Sequence, residues 1–300
     1  MHKGLLWGGK TQATQERSAD SLSPDDFEFI RQTVYAEAGI QLGPDKRSLV
    51  IHRLLKRVRQ LGLPSLTAYC NYLRSPAGSA EQGVMLDLLT TNVTHFFREG
   101  AHFEFLAREI LQKEWSNPAR FAREFLAWSA ACSSGEEPYS IAIVLSEHAL
   151  RNPKFRWRVE ATDISNRVLE KAMLAVYEEE DLQLPQPTWR ARYFQRGIGR
   201  WQGHWRIKPE LRQRVRFRRW NLLQTPYPFD DKMDVIFCRN VLIYFDREVQ
   251  RRAVQNLIGQ LRPGGYLIVG HSESLLGQLV SLRPLQPSVY RYEPIGIHQE

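Results

Sequence analysis

The stretch that most constrains this chain is FLAWSAACSSGEEPYS, residues 125–140: an apolar run, a turn of small residues ending at Gly135, and a helix opened by Glu136 and Glu137. Small residues at Ala130, Cys132 and Gly135 stand where a dinucleotide-binding fold places the glycines of G-x-G-x-x-G, so the backbone approaches a ligand closely there. IAIVLSEHAL, residues 141–150, carries apolar residues at helical spacing, and Pro138 falls in the first turn, where its missing N–H costs nothing. A strand, a tight turn and a helix N-terminus aimed at the turn are therefore expected.

A helix N-terminus attracts phosphate, but Glu136 and Glu137 repel a pyrophosphate and favour a cationic ligand. S-adenosylmethionine fits, with an adenosine, an ammonium, a sulfonium and no phosphate. The other reading is that the two glutamates only offset the helix dipole.

With 300 residues, 43% of them hydrophobic, the chain is long enough to bury a large core. Cys70, Cys132 and Cys238 are odd in number, widely spaced and without a C-x-x-C, so neither a disulfide framework nor a zinc site is expected and no metal is assigned. A reducing cytoplasm is the natural setting. The apolar GLLWGG at 4–9 is too short for a secretion signal, no run approaches the roughly 20 residues that span a bilayer, and residues 1–22 read as a polar tail. A net charge of +8 suits an acidic partner: nucleic acid, an anionic membrane face or a carboxylate-rich protein.

Residues 23–91 read as a small helical domain. Its first helix, 23–39, has Ser23 as cap, Pro24 at the first position and Gly39 as stop. The second, 44–61, carries Leu49, Val50, Leu54, Leu55, Val58 and Leu61 on one face and Lys46, Arg47, Arg53, Lys56, Arg57 and Arg59 on the others. That basic surface is either a docking face or simply a solvated one. Shorter helices are expected at 65–74 and 81–91, and residues 92–118 read as a linker with a connecting helix.

Beyond that the period changes. Strand candidates at 125–131, 157–163, 214–219, 233–238, 265–270 and 287–292, several separated by helices, argue an α/β doubly wound sheet over 119–293, with 294–300 as a tail. The segment 181–220 interrupts the alternation, and an antiparallel β-subdomain is expected at about 184–219. Trp189, Trp201, Trp205 and Phe194 interleave with arginine there, a composition that marks a contact surface rather than a solvated loop.

Asp163 ends the second strand about 30 residues past the first turn, where an acidic residue of a doubly wound fold accepts hydrogen bonds from ribose hydroxyls. It is also placed to cap the helix ISNRVLEKA. Arg239 and Asn240 follow the hydrophobic run DVIFC at a ligand-bearing strand end, with Tyr244 just beyond. In TTNVTHFFRE, residues 90–99, Asn92, Thr94 and Arg98 surround Phe96 and Phe97.

The motifs N-x-T-x-FFR, SAACSSGEEPYS, ATDIS, NLL and FCRNVLIYFD, spread from about residue 24 to residue 292, make the chain resemble the CheR family of chemotaxis receptor methyltransferases. The resemblance implies a class I methyltransferase-like sheet with a small all-helical N-terminal domain and an inserted antiparallel β-subdomain. It implies methyl transfer from S-adenosylmethionine to receptor glutamates, giving methyl esters and S-adenosylhomocysteine. Asn92, Thr94 and Arg98 would close over the donor, and Glu136 would hold its methionyl end. Asp163 would bind the ribose, Asn221 and Leu222 would border the adenine, and Arg239 and Asn240 would line the cofactor. Arg98 and Tyr244 would lie nearest the transferred methyl.

The implied partner is the cytoplasmic helical hairpin of chemoreceptors, whose acidic surface Arg53, Lys56 and Arg59 would read. A receptor C-terminal tail peptide would dock through the β-subdomain, where GIGRWQGHWR at 197–206 resembles the tail-binding type, although Trp201 and Trp205 depart from the polar residues common there. A glutamate is ionised at neutral pH, with a reference pKa near 4.3, so no general base is required. The competing readings are a nucleic-acid methyltransferase, motivated by a pI near 9.5, and a non-catalytic receptor adaptor. The first lacks a D/N-P-P-Y/F tetrad, and the second is at odds with intact Asn92, Arg98, Asp163 and Tyr244.

Overall fold

A computed structural model describes residues 21–275 and 280–294, and the chain divides into two compact units between Thr91 and Asn92. The GLLWGG segment and residues 295–300 lie outside the described residues. No described helix is long and apolar enough to cross a membrane.

The first unit contains α1 (Pro24–Ala38), α2 (Arg47–Gln60), α3 (Leu66–Arg74) and α4 (Ser79–Leu89). Ser23 caps α1 by accepting the Asp26 N–H at 3.0 Å, and Gly39 ends it at φ 69° in the left-handed region that a Cβ disfavours. Ile30, Val34, Val50, Leu54, Val58, Leu66, Tyr69 and Met85 are buried as the helical spacing requires. Two expectations fail here. Leu49 is 38% exposed and not part of the apolar face, while Leu22, assigned to the tail, is 1% exposed. The buried carboxylate of Glu81 receives Arg57 Nε and Nη2 at 2.8 and 2.7 Å and the Tyr69 hydroxyl at 3.0 Å. Arg74 pairs with the equally buried Asp26 at 2.8 Å.

In chain order the strands of the second unit are β1 (Phe125–Ala130), β2 (Trp157–Asp163), β3 (Val176–Glu178), β4 (Phe194–Arg196), β5 (His204–Ile207), β6 (Val215–Arg219), β7 (Met233–Cys238), β8 (Leu261–Val269), β9 (Leu282–Gln286) and β10 (Val289–Tyr292). The helices are α5 (Ala101–Phe105, continued as a π-helix over Leu106–Glu114), α6 (Glu136–Arg151), α7 (Asn166–Leu174), α8 (Pro187–Tyr193), α9 (Pro209–Arg212) and α10 (Arg247–Gly259). The main sheet has seven strands in the order β6-β2-β1-β7-β8-β10-β9. All neighbours are parallel except the pairs made by β10. Every residue of β1 and β7 is buried, as expected of central parallel strands covered on both faces. Strand order reverses between β1 and β7, so the crevice beyond their carboxyl ends is where a ligand belongs.

The expected doubly wound sheet forms, with three differences of detail. Strand β8 starts at Leu261 rather than 265: Leu261 pairs with Met233 but Tyr266 with Val235, so Pro263, Gly264 and Gly265 are absorbed in a bulge. Strand β9 has no counterpart in the sequence reading, because Pro284 and exposed polar neighbours hide an edge strand that needs no full set of ladder bonds. The separate antiparallel sheet, β3-β5-β4, begins at Val176, ahead of the expected insert. The turn into it is Ala175 at φ 56°, a left-handed position usually signalled by glycine.

Phe96 joins the core of this second unit, with ring centroids 4.9 Å from Tyr177 and 5.4 Å from Phe194. The N-x-T-x-FFR segment is thereby anchored to the β-subdomain through its aromatics.

Candidate active site at the carboxyl edge of the sheet

The turn after β1 enters the left-handed region at Ala131, Ser133 and Gly135, with φ of 65°, 49° and 98°. Such a conformation costs a residue with a side chain roughly 1–2 kcal/mol, so the turn must be held from outside. Cys132 N–H bonds Thr162 O at 2.9 Å, Ser133 N–H bonds Asp163 Oδ2 at 2.9 Å, and Ser133 Oγ bonds Asn92 O at 3.0 Å. Glycine is required at 135 by space as well as by φ: a Cβ there would lie 2.7 Å from the Tyr177 hydroxyl and 2.8 Å from Ala172 Cβ. Tyr177 in turn donates to Ser134 O at 2.8 Å.

Asp163 is 7% exposed and uses both carboxylate oxygens on backbone, Oδ2 on Ser133 N–H and Oδ1 on Ser165 N–H, each at 2.9 Å. It does not cap α7. Ser165 does, accepting the Val168 N–H at 3.4 Å. The Asp163 carbonyl receives Trp220 N–H at 2.9 Å, which sets Asn221 and Leu222 beside it at the end of β6. Asn221 Oδ1 holds its own turn by accepting Leu223 N–H at 2.9 Å, and Leu222 is buried. Asn92, Asp163 and the NLL segment thus meet around one turn, although they are scattered in sequence.

The two glutamates that open α6 part company. Glu136, 1% exposed, accepts the Ser134 hydroxyl at 2.7 Å and lies 3.8 Å from Lys171 Nζ. Glu137 accepts the Ser129 hydroxyl at 2.6 Å and Arg239 Nη1 at 3.0 Å. Burial pushes both carboxyls above their usual range despite these partners.

Arg239, the first residue after β7, is buried. Its Nη2 reaches Glu99 Oε2 at 3.0 Å and the carbonyl of Arg98, while Nη1 holds Glu137. Asn240 has a left-handed φ of 57° and donates its side-chain N–H to Glu99 Oε1 at 3.2 Å. Buried Glu273, in the loop after β8, gathers the backbone N–H groups of Asn240 and Gly270 at 2.7 Å and of Ile243 at 3.2 Å. Those bonds hold the short turn Leu242–Tyr244, where Tyr244 is half-buried. Arg98 is half-buried and donates to Val93 O at 2.9 Å, and Thr94 is half-buried on the same segment.

Glu99 and Glu273 were missed by the sequence reading, which took Glu137 only as a charge at the helix start. Glu99 ends the quoted FFRE and Glu137 stands in GEEPYS, but Glu273 is joined to this edge only by the sheet topology. Donor atoms of Glu99, His102 and His271 lie within 4.8 Å of one another. Both oxygens of Glu99 already receive Arg239 and Asn240, and His102 is pushed down to about 4 by burial and the nearby guanidinium, so it is neutral. Arg239 is the side chain whose charge is paired with this carboxylate.

The basic helix of the first unit is only partly free to read a partner. Arg53 directs Nη1 to Leu89 O and Thr90 O at 2.6 and 3.0 Å, and Arg57 is taken by Glu81. Lys56 and Arg59 are exposed.

The family described as CheR methyltransferase, SAM binding domain, matches residues 92–289, and CheR methyltransferase, all-alpha domain, matches residues 25–90. The chain belongs to the CheR methyltransferase family. A chemotaxis protein methyltransferase of Escherichia coli (strain K12) is 42% identical over 274 residues, covering 91% of this chain and 93% of the relative. Chemotaxis protein methyltransferase 2 of Pseudomonas aeruginosa is 41% identical over 270 residues, covering 89% and 92%. Among solved structures, the N-methyltransferase NodS from Bradyrhizobium japonicum in complex with S-adenosyl-l-homocysteine overlaps 57% of this chain and 59% of its own, at 16% identity and a TM-score of 0.31. Membership in the CheR family rests on the sequence matches, which span both units.

Proposed function

We propose that the protein transfers the methyl group of S-adenosylmethionine to glutamate side chains of chemoreceptors, forming methyl esters. One observation carries the reading of the site: the turn after β1 has its Ser133 N–H taken by the Asp163 carboxylate and is followed by a helix whose first turn holds Glu136 and Glu137. An adenosine bearing positive charge suits that carboxylate-rich edge, and a pyrophosphate does not. S-adenosylmethionine, when bound, supplies an electrophilic methyl on a sulfonium sulfur.

The donor set fits that group. Asp163 is assigned to the ribose hydroxyls, which suit an ionised carboxylate with its several acceptor sites. Leu222 and Asn221 border the adenine beside it, and Asn92 and Thr94 close the same side. Arg239 has its guanidinium engaged by two carboxylates, so it lines the site through its backbone and that of Asn240. Glu136 is assigned to the methionyl end, where its place at the start of α6 supports the role.

The acceptor glutamate arrives already ionised, so no residue need remove a proton. Arg98 and Tyr244 orient it: a guanidinium offers a fork of donors to the carboxylate, and a phenol offers one. Joining an anion to a cation removes both charges, so the edge serves by excluding water and holding the two in line.

Receptor recognition is assigned to Lys56 and Arg59 on the exposed side of α2, with Arg53 in support, acting on an acidic helical hairpin. The β-subdomain takes a receptor tail peptide, a reading supported by Ile198 and Trp201, 84% and 42% exposed on the turn between β4 and β5.

The test is incubation with labelled S-adenosylmethionine and receptor-containing membranes. Label bound to receptor and released by mild base as methanol is expected. Asp163→Asn, which retains one acceptor for Ser133, should weaken donor binding by about 10–100-fold. Label that resists base, or enters RNA instead, sinks the reading.

A further inference from the structure

We propose that Glu99 is a positioning residue for methyl transfer: it ties the segment that carries Arg98 to the turn after β7 that leads to Tyr244, and so sets the spacing of the two groups that orient the acceptor. The inference rests on the methyltransferase reading above and adds to it a residue that contacts neither donor nor acceptor.

The side chain of Arg98 has one hydrogen bond among the described residues, to Val93 O on its own segment. Its placement therefore depends on its backbone. That backbone is under tension on both sides, because Phe97 and Glu99 have left-handed φ of 55° and 57°. On the Phe97 side the conformation is held by the Phe97 N–H on Ser140 Oγ at 3.0 Å and by ring contacts with Phe103 and Trp189 at 5.1 and 5.4 Å. On the other side the hold is the Glu99 carboxylate, with Oε2 on Arg239 Nη2 at 3.0 Å and Oε1 on Asn240 Nδ2 at 3.2 Å. The same Nη2 binds the Arg98 carbonyl.

Burial works to raise the Glu99 carboxyl, but Arg239 and Asn240 outweigh that and hold it below its usual range, so the link is a charged one. What Glu99 adds is a two-pronged link between two loops 140 residues apart in sequence. A displacement of about 1 Å of a reacting group costs about 100-fold in rate, which is the scale on which such a link matters.

The experiment compares the full-length protein with Glu99→Gln, measuring S-adenosylhomocysteine affinity by calorimetry and kcat with saturating donor and receptor. Binding by the wild type and its transfer to receptor test the underlying reading separately. For Glu99→Gln we expect kcat to fall about 10–100-fold while affinity for the product stays within about threefold. A kcat within threefold of wild type, or a fall in affinity equal to the fall in kcat, overturns the proposal. Should the Gln variant not fold, Glu99→Asp carries the same test: the charge is kept but drawn back by a methylene, and the same split between kcat and affinity is expected at smaller size. Absence of that split in the Asp variant overturns the proposal equally.

Discussion

Buried carboxylates in the two units behave in opposite ways. In the helical unit, the hydrogen bonds from Arg57 hold Glu81 below the usual carboxylate range. Asp26 is also lowered: burial works to raise it, but Arg74, Ser23 and Thr67 together outweigh that. At the carboxyl edge of the sheet, burial prevails, and Glu136, Glu137 and Glu273 are all raised in spite of their partners. The first arrangement ties helices together with one arginine per acid. The second shares one arginine between Glu137 and Glu99, of which only the less buried Glu99 is lowered, and satisfies Glu273 with backbone N–H groups. Perturbation of that kind collects at functional sites.

The sharpest way to break the comparison is to remove the arginine from each. Arg239→Ala strands Glu99 and Glu137 and should lower stability by about 3–5 kcal/mol in denaturant titration, with methyl transfer lost as well. Arg57→Ala leaves the Tyr69 hydroxyl on Glu81 and should cost less, about 1–3 kcal/mol, with transfer per folded molecule unchanged. Loss of transfer in both, or in neither, would erase the distinction between a structural and a functional use of buried charge.

A subtler difference lies in pH. The lowered Glu81 stabilises the fold above its unfolded pKa, and that stabilisation is lost as pH falls through the folded value. The raised Glu137 contributes most below its unfolded pKa, and its contribution is lost as pH rises through the folded value. The stability gap between wild type and Glu81→Gln should therefore widen from acid to neutral pH, while the gap for Glu137→Gln should narrow. Thermal melts across that range check the sign. Least of all, Arg53→Ala removes bonds to the last carbonyls of α4 and should cost about 1 kcal/mol, whereas Lys56→Glu should leave the melting point unchanged and slow receptor methylation at low salt.

How much of this was legible depended on whether the determining signal was local. The cap of α1, the span of β2 and the start of α6 rest on neighbours within one turn, and Ser23, Pro24, Gly39 and Gly135 announce them. The bulge in β8 and the edge strand β9 depend on register against other strands, which no single window contains. The start of the β-subdomain was hidden because Ala175 takes a glycine-like conformation without being glycine.

The candidate site divides along the same line. Asp163 was found through its distance from the first turn, yet its hold on Ser133 was not, because a side chain's choice of a backbone N–H leaves no periodic trace. Arg239 was picked out at a strand end, but the sequence suggested a residue facing the ligand, and its guanidinium instead pairs with two half-buried acids. Arg53 read as part of a solvent-facing stripe until the end of α4 proved to lie within its reach.

One detail of the first turn reaches beyond this chain. Many common metabolites share an adenosine, so discrimination among them must act on whatever follows the sugar. With the Ser133 N–H held by the Asp163 carboxylate and two glutamates opening the helix that follows, the first turn presents negative charge, and a ligand there is expected to be sorted by its charge rather than by a gate.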